Sequence, residues 1–423
     1  MIQDVNLIKL KSDNGIFYIF DAIDNNIYQV EESDFKTISQ NDLGRTSGIR
    51  ESIKADTKKI KNAVNNEAKT LIIEITEKCN LRCSYCIFDD SDNSERNHSQ
   101  SSICIEDAKN AIMSYIKRNN DNNLYIVFYG GEPLLEFEKL KEIVRFTNKQ
   151  TNKNTNYSIS TNASSLNKDK VDFLVKNKIL TTVSIDGPKF INDKNRKKPN
   201  GSGSFDSIRK NILSIKNEHP EFYNEKIFFN CVISTPEDIE PINIFFENDT
   251  LFPSEKVRFS PEIENSNNIN AEIRNRSTSL YNRSSNAIEK AFIKSVIDKI
   301  RYRQIGENAG DRKKHCIPFS NRTYIRSDGS IQYCERIQDS NKVIITDSTK
   351  LDMISENIFK DFIDFKKSDC SRCFAYNFCE MCPASFMRNG ILDKKESLEK
   401  CSAFREDILL ALNIYINQME NRL

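Results

Sequence analysis

From Thr70 onward the chain alternates short apolar runs with longer amphipathic ones. The runs at 71–75, 125–129, 157–160, 182–185, 227–233 and 257–260 are rich in Ile, Val, Phe, Tyr and Thr and predict β-strands. Between the first two, Ala108, Ala111, Ile112, Tyr115 and Ile116 recur at helical spacing, and Glu106-Asp107 suit a helix amino terminus. Comparable amphipathic stretches at 137–148, 168–176, 205–216 and 239–246 predict further helices between the later strands. Six βα units in series predict an α/β fold with a parallel sheet and right-handed crossovers.

The flanks are less regular. Residues 1–67 read as a small strand-rich extension, with strands at 15–21 and 26–30 and a charged helical segment from about 50 to 69. Either it packs over the end of the next domain, or its strand edge holds a peptide by β-augmentation. Residues 262 to about 310 are polar and Asn/Ser-rich, a link with one helix at 287–301, and 91–102 reads as a solvated loop. Beyond it, Ser327-Asp328-Gly329-Ser330 predicts a hairpin turn. The expected division is therefore 1–67, an α/β core at 68–309, and a cysteine-rich domain at 310–423.

In a parallel βα fold, active-site groups gather where the strands end. A cysteine loop follows the first strand, Gly130-Gly131-Glu132-Pro133 the second, and Ser160-Thr161-Asn162 the third. Ser184-Ile185-Asp186-Gly187-Pro188 follows the fourth, Asn230 lies in the fifth, and Arg258 and Ser260 lie in the sixth. Polar groups thus recur at one end of the sheet, as a site requires.

Charge narrows the classes. Sixty-two basic residues against sixty-one acidic give a net charge of +1, so no nucleic-acid or membrane-surface field is expected. No apolar run approaches the roughly 18 residues of a membrane span. The first residues, MIQDVNLIKLKSDNG, have no signal-peptide core, and a cytoplasmic location is expected. In such a reducing compartment twelve cysteines point to metal or redox use rather than disulfides. Three histidines and no tryptophan leave little scope for His-rich zinc chemistry.

The first cysteine group is Cys79-Asn80-Leu81-Arg82-Cys83-Ser84-Tyr85-Cys86. Three thiolates on one short loop hold three irons of a cubane 4Fe–4S cluster and leave the fourth open for chemistry; a zinc loop or three free thiols are the alternatives. With an aromatic before the last cysteine, the spacing resembles the signature of the radical S-adenosylmethionine (radical SAM) enzymes. The resemblance implies that Cys79, Cys83 and Cys86 bind the catalytic cluster. The cofactor's amino and carboxylate groups would chelate the open iron, and an electron from the cluster would release a 5′-deoxyadenosyl radical. The six strands then resemble that family's open, partial (β/α)6 TIM-like barrel. Tyr85 would lie by the adenine. Gly130 and Gly131 would admit the ligand, and Glu132 would accept from its ammonium. Ser160, Asn162 and Ser184 are candidates for ribose and carboxylate contacts, and Arg196 for the methionyl carboxylate. Asp186 reads as an organiser of the Gly187-Pro188 turn. Cys231 reads as a small core residue, and Cys104 has no expected role.

The second group, Cys316, Cys334, Cys370, Cys373, Cys379, Cys382 and Cys401, resembles the SPASM extension, which binds auxiliary 4Fe–4S clusters. By that resemblance Cys370, Cys373, Cys379 and Cys401 hold a distal cluster, and Cys316, Cys334 and Cys382 a proximal one. Two residues separate Cys379 from Cys382 where the common pattern has three. The fourth proximal ligand stays open among His315, Glu335 and a substrate cysteine; zinc is the alternative metal. The combination resembles maturases of ribosomally made peptides. It implies hydrogen abstraction from a precursor peptide, an intramolecular thioether between a cysteine sulfur and a carbon, and an external reductant such as flavodoxin or ferredoxin. The rival is the anaerobic sulfatase-maturing enzyme, which makes formylglycine and typically has Asp directly after the cysteine matched by Cys334. Here the residue is Glu335, the candidate catalytic group. Peptide epimerisation, carbon–carbon cross-linking and a non-catalytic electron carrier complete the alternatives.

Overall fold

A computed structural model of the chain describes residues 7–23, 25–38, 57–86, 88, 98–262, 265–280, 286–301, 316–337, 343–344, 349–370, 373–379, 381–388 and 391–420. Near the amino terminus β1 (Leu7–Lys11), β2 (Phe17–Asp21) and β3 (Asn26–Val30) form an antiparallel sheet in that order. The sequence reading predicts β2 and β3 but not β1. Lys9 and Lys11 mask its apolar character, while buried Leu10 and half-buried Ile8 supply its core-facing side.

The core follows as β4 (Leu71–Thr76), a two-residue β5 (Arg82–Cys83), β6 (Asn123–Gly130), β7 (Asn154–Thr161), β8 (Leu180–Ser184), a two-residue β9 (Arg196–Lys197), β10 (Ile227–Ile233) and β11 (Val257–Pro261). The six longer strands are all parallel and lie in the order β11-β10-β8-β7-β6-β4. Helices Ile105–Lys117, Phe137–Gln150, Lys168–Lys176, Phe205–Glu218 and Ile239–Asn248 occupy the crossovers, so the predicted α/β architecture is the observed one. Strand parity separates the two faces. In β10, Ile227, Phe229, Cys231 and Ile233 are buried in the helix-covered core, and Phe228, Asn230 and Val232 on the other face are only half-buried. In β8, Thr181 and Val183 are buried and Thr182 and Ser184 half-buried. The half-covered face is the polar one, and it leads to the strand ends where the candidate site residues lie.

The sheet does not stop at residue 309. β12 (Thr323–Ile325) pairs parallel with β4, and β13 (Ser330–Gln332) and β14 (Val343–Ile344) extend it antiparallel. Glu74, fully buried in β4, fastens this extension by accepting from the Tyr324 hydroxyl and, at 2.9 Å, from the Ser327 N–H. Buried Arg118, just past the first core helix, donates to Val64 O (3.2 Å), Phe319 O (3.0 Å) and Thr323 Oγ1 (3.2 Å). It thereby ties helix Thr57–Asn66 and the 319–323 segment to the core. Replacing it by Leu strands these acceptors away from water. Arg118→Leu is expected to lower the unfolding free energy by about 3 kcal/mol in urea titration; a negligible change would show that they find other donors.

Between 262 and 310 the sequence reading predicts one helix, Ala287–Arg301, which is present, but a second runs over Ser266–Leu280. Its Asn- and Ser-rich composition has weak helix propensity, and tertiary burial of Ile269 and Ile273, one turn apart, accounts for it. The carboxyl-terminal region comprises helix Thr349–Cys370, a turn at Phe374–Phe378, a hairpin of β15 (Met387–Arg388) and β16 (Ile391–Leu392), and helix Lys394–Glu420. The amino-terminal sheet packs here rather than on the neighbouring core. Tyr18 and Phe20 share a cluster with Phe374, Phe378, Phe404 and Ile408, and the Tyr18 hydroxyl donates to Glu420 at 2.8 Å. Among the described residues no helix is long and apolar enough to cross a membrane.

Candidate active site

β4 leads directly into the first cysteine loop, and the end of β6 is bolted to the root of that loop. Gly131 N–H donates to Thr76 O and Glu132 N–H to Lys78 O, both at 2.8 Å. A Cβ on Gly130, whose φ is +135°, would stand 2.2 Å from Thr76 O, and one on Gly131 2.3 Å from Lys78 O. The close approach that these glycines permit is thus of one backbone to another. Glu132 is fully buried and accepts from Leu134 N–H (3.1 Å), Thr161 Oγ1 (2.8 Å) and Asn162 N–H (2.7 Å). Its burial pushes the carboxyl above the usual range, opposed by those donors. The residue expected to meet an ammonium therefore also locks the ends of β6 and β7 together. Asn162 in turn donates to Asn80 Oδ1 at 2.8 Å, inside the cysteine loop.

The loop has its own internal scaffold. β5 pairs with β9, setting Cys83 opposite Arg196. Leu81 N–H points at Cys79 Sγ at 3.4 Å, and His98 Nε2 lies 3.7 Å from Cys86 Sγ. Under the loop, the Arg196 guanidinium donates to the Tyr85 hydroxyl (2.7 Å), which donates to Asp186 Oδ2 (2.5 Å). Asp186 Oδ1 accepts from Val232 N–H at 3.1 Å in β10. Arg196 and Asp186 are both buried. Asp186 thus serves Tyr85 and β10 through its side chain, a role that the turn reading of Asp186-Gly187-Pro188 does not contain. Arg196, expected to face a carboxylate of the cofactor, spends a donor on Tyr85.

The three thiols are free and half-buried. Burial pushes Cys79 up to about 11 and Cys86 up to about 12, and raises Cys83 against the pull of Arg196. They are neutral thiols near pH 7, and ligation must displace their protons. Ser160 and Ser184 lie half-buried on the open face, and the register sets Ser184 beside Asn230 and Asn230 beside Arg258. Cys231 is fully buried in the core, and exposed Cys104 precedes helix Ile105–Lys117.

The carboxyl-terminal thiols influence one another electrostatically in two sets. Cys370, Cys373, Cys379 and Cys401 lie near enough to perturb one another, and so do Cys316 and Cys334 with Cys382. Burial pushes Cys370 and Cys334 up to about 12 and Cys316 and Cys401 up to about 11. Glu335 belongs to the three-thiol group: Oε2 is 3.5 Å from Cys334 Sγ, and Oε1 is bound by Arg322. His315 lies outside the described residues. Among the described residues no three His, Cys, Asp or Glu side chains close on a single metal ion. A cubane is held differently, since each thiolate binds its own iron, and all-thiol donor sets suit it.

Residues 73–242 match the Radical SAM superfamily. The chain thus carries a radical SAM domain over those residues. It is 29% identical over 340 residues to the cysteine-type anaerobic sulfatase-maturating enzyme of Clostridium novyi (strain NT), covering 75% of this chain and 87% of that enzyme. A shorter match, 27% over 177 residues, is to the radical SAM cyclopropyl synthase TigE of Paramaledivibacter caminithermalis, covering 40% of this chain and 36% of the relative. Among solved structures, native anSMEcpe with bound AdoMet has the same fold (TM-score 0.62, 21% identity), covering 83% of this chain and 99% of that one. The radical SAM domain brings a 4Fe–4S cluster and S-adenosylmethionine, and the cysteine-rich carboxyl-terminal region fits auxiliary clusters. The radical SAM domain and the similarity to maturating enzymes support a radical SAM maturase with a cysteine-rich carboxyl-terminal region.

Proposed function

We propose that this radical SAM protein oxidises a cysteine-containing peptide and joins the cysteine sulfur to a carbon of the same peptide. The observation that carries this reading is the group formed by Cys316, Cys334 and Cys382, which among the described residues offers three thiols where a cubane has four irons. A substrate thiolate is the chemically matched fourth ligand. Cys79, Cys83 and Cys86 hold the catalytic cluster, and the buried Asp186 and Arg196 fix Tyr85 as a wall beside it. Ser160, Asn162 and Ser184 supply hydrogen bonds on the open face, and the Gly130-Gly131-Glu132 turn keeps the loop in register. Glu335, beside Cys334 and held by Arg322, takes the proton that the substrate thiol loses on binding. When bound, the clusters and S-adenosylmethionine supply a radical that removes a hydrogen atom and an acceptor for the second electron. Each link breaks one C–H and one S–H bond and makes one C–S bond. Such chemistry belongs in a reducing cytoplasm, with a flavodoxin or ferredoxin as electron source.

The similarity to the Clostridium novyi enzyme favours a second reading, oxidation of a sulfatase cysteine to formylglycine. The two separate by product mass. After anaerobic co-expression with a cysteine-containing precursor peptide, thioether formation is expected to remove two hydrogens per link. Each link also removes one alkylatable thiol. An unchanged peptide, beside a sulfatase peptide that gains an aldehyde, overturns the thioether reading.

A further inference from the structure

Lys366 is a buried cation that the radical SAM reaction as described leaves unused. It lies one helical turn before Cys370, so both face the same side of helix Thr349–Cys370. The side chain is only 5% exposed, and its ammonium donates to Cys379 Sγ at 3.6 Å. Phe362 and Phe386 flank it, with ring centroids 4.9 and 6.0 Å from Nζ. Among the described residues no Asp or Glu forms an ion pair with it. Burying an unpaired ammonium costs several kcal/mol, and neutral thiols do not offset that. An anionic cluster on those same thiols does. A second, half-buried cation stands beside the same thiols. In helix Lys394–Glu420, Arg405 lies one turn after Cys401 and hydrogen-bonds Cys373.

We propose that Lys366, supported by Arg405, is built to raise the reduction potential of an iron–sulfur cluster held by Cys370, Cys373, Cys379 and Cys401. One-electron reduction adds a negative charge to an already anionic group. A fixed positive charge and an N–H···S bond therefore favour the reduced state more than the oxidised one, and strongly so in a dry surrounding. Lys366 is in this sense a positioning residue for charge, not a ligand. The inference rests on the distal ligand assignment, which can fail separately.

The test is an anaerobic redox titration of the full-length, reconstituted protein, followed by electron paramagnetic resonance, with iron counted per chain. Lys366→Met is expected to keep its iron and to make reduction of the distal cluster at least tenfold less favourable, a fall of about 59 mV for one electron. Lys366→Arg, which keeps the charge, is expected to stay near the parent value. A Met variant with full iron and an unmoved potential overturns the proposal. Should Lys366→Met lose iron, Lys366→Gln carries the test, since it keeps a donor without the charge: a lowered potential supports the proposal and an unmoved one overturns it. Cys370→Ala separates the underlying assignment. Loss of the distal signal upholds it, and unchanged iron and spectrum remove the assignment together with the tuning that depends on it.

Discussion

Replacing Cys79, Cys83 and Cys86 together by Ala is expected to abolish reductive cleavage of S-adenosylmethionine and to leave iron bound in the carboxyl-terminal region. The expectation follows from where the thiols sit. They are half-buried on a loop whose apolar anchor is Leu81, so the substitution removes ligands without emptying the core. The seven tail thiols form two groups of their own and depend on helices Thr349–Cys370 and Lys394–Glu420 and on the β12–β13 hairpin. Without three thiolates there is no open iron to bind the cofactor. 5′-Deoxyadenosine release should fall to the level of a no-enzyme control, while a reduced-cluster spectrum from the tail persists. Retained cleavage would sink the assignment of the first loop. Loss of all iron would show that the tail clusters need the first one to assemble.

The sheet was legible because its strands are dense in β-branched and aromatic residues and their lengths match the mean for strands. The first cysteine loop stands out in the sequence because one tight segment carries three thiols. What escaped the reading is what the chain assembles from distant pieces. Tyr85, Asp186 and Arg196 meet under the loop although 101 positions separate the first pair and 111 the first and last. No local pattern marks Asp186 as the partner of Tyr85; its neighbours Gly187 and Pro188 suggest a turn and conceal the longer contact. Lys366 is one of sixty-two basic residues, and only its burial and the sulfur beside it distinguish it. β12 to β14 joined the core sheet because buried Glu74 offers acceptors to Tyr324 and Ser327, a polar signal inside an apolar run. Such a residue in a strand sequence looks like an interruption, whereas here it is the fastening.

That fastening of distant pieces makes Gly131 a sensitive position at the root of the cysteine loop. A methyl group added there would stand 2.3 Å from Lys78 O and 2.7 Å from Glu77 O, and both obstacles are main chain. Neither can rotate away as a side-chain tip would. The 2.8 Å bonds from Gly131 to Thr76 and from Glu132 to Lys78 must lengthen, and Cys79 follows Lys78 directly. A shift of about 1 Å in a reacting group can cost roughly 100-fold in rate. Gly131→Ala is therefore expected to reduce cofactor cleavage about 100-fold, with a stability cost of only ~1–3 kcal/mol and with tail iron unchanged. Gly201→Ala is the matched control. Gly201 has a φ of +82° but open space around its Cβ position, so its substitution strains a surface turn and leaves the cluster loop alone. Equal cleavage rates in the two variants would mean that the contact between the β6 end and the loop root does not set the position of the cluster. A selective loss in Gly131→Ala would place the register of that contact among the determinants of the chemistry.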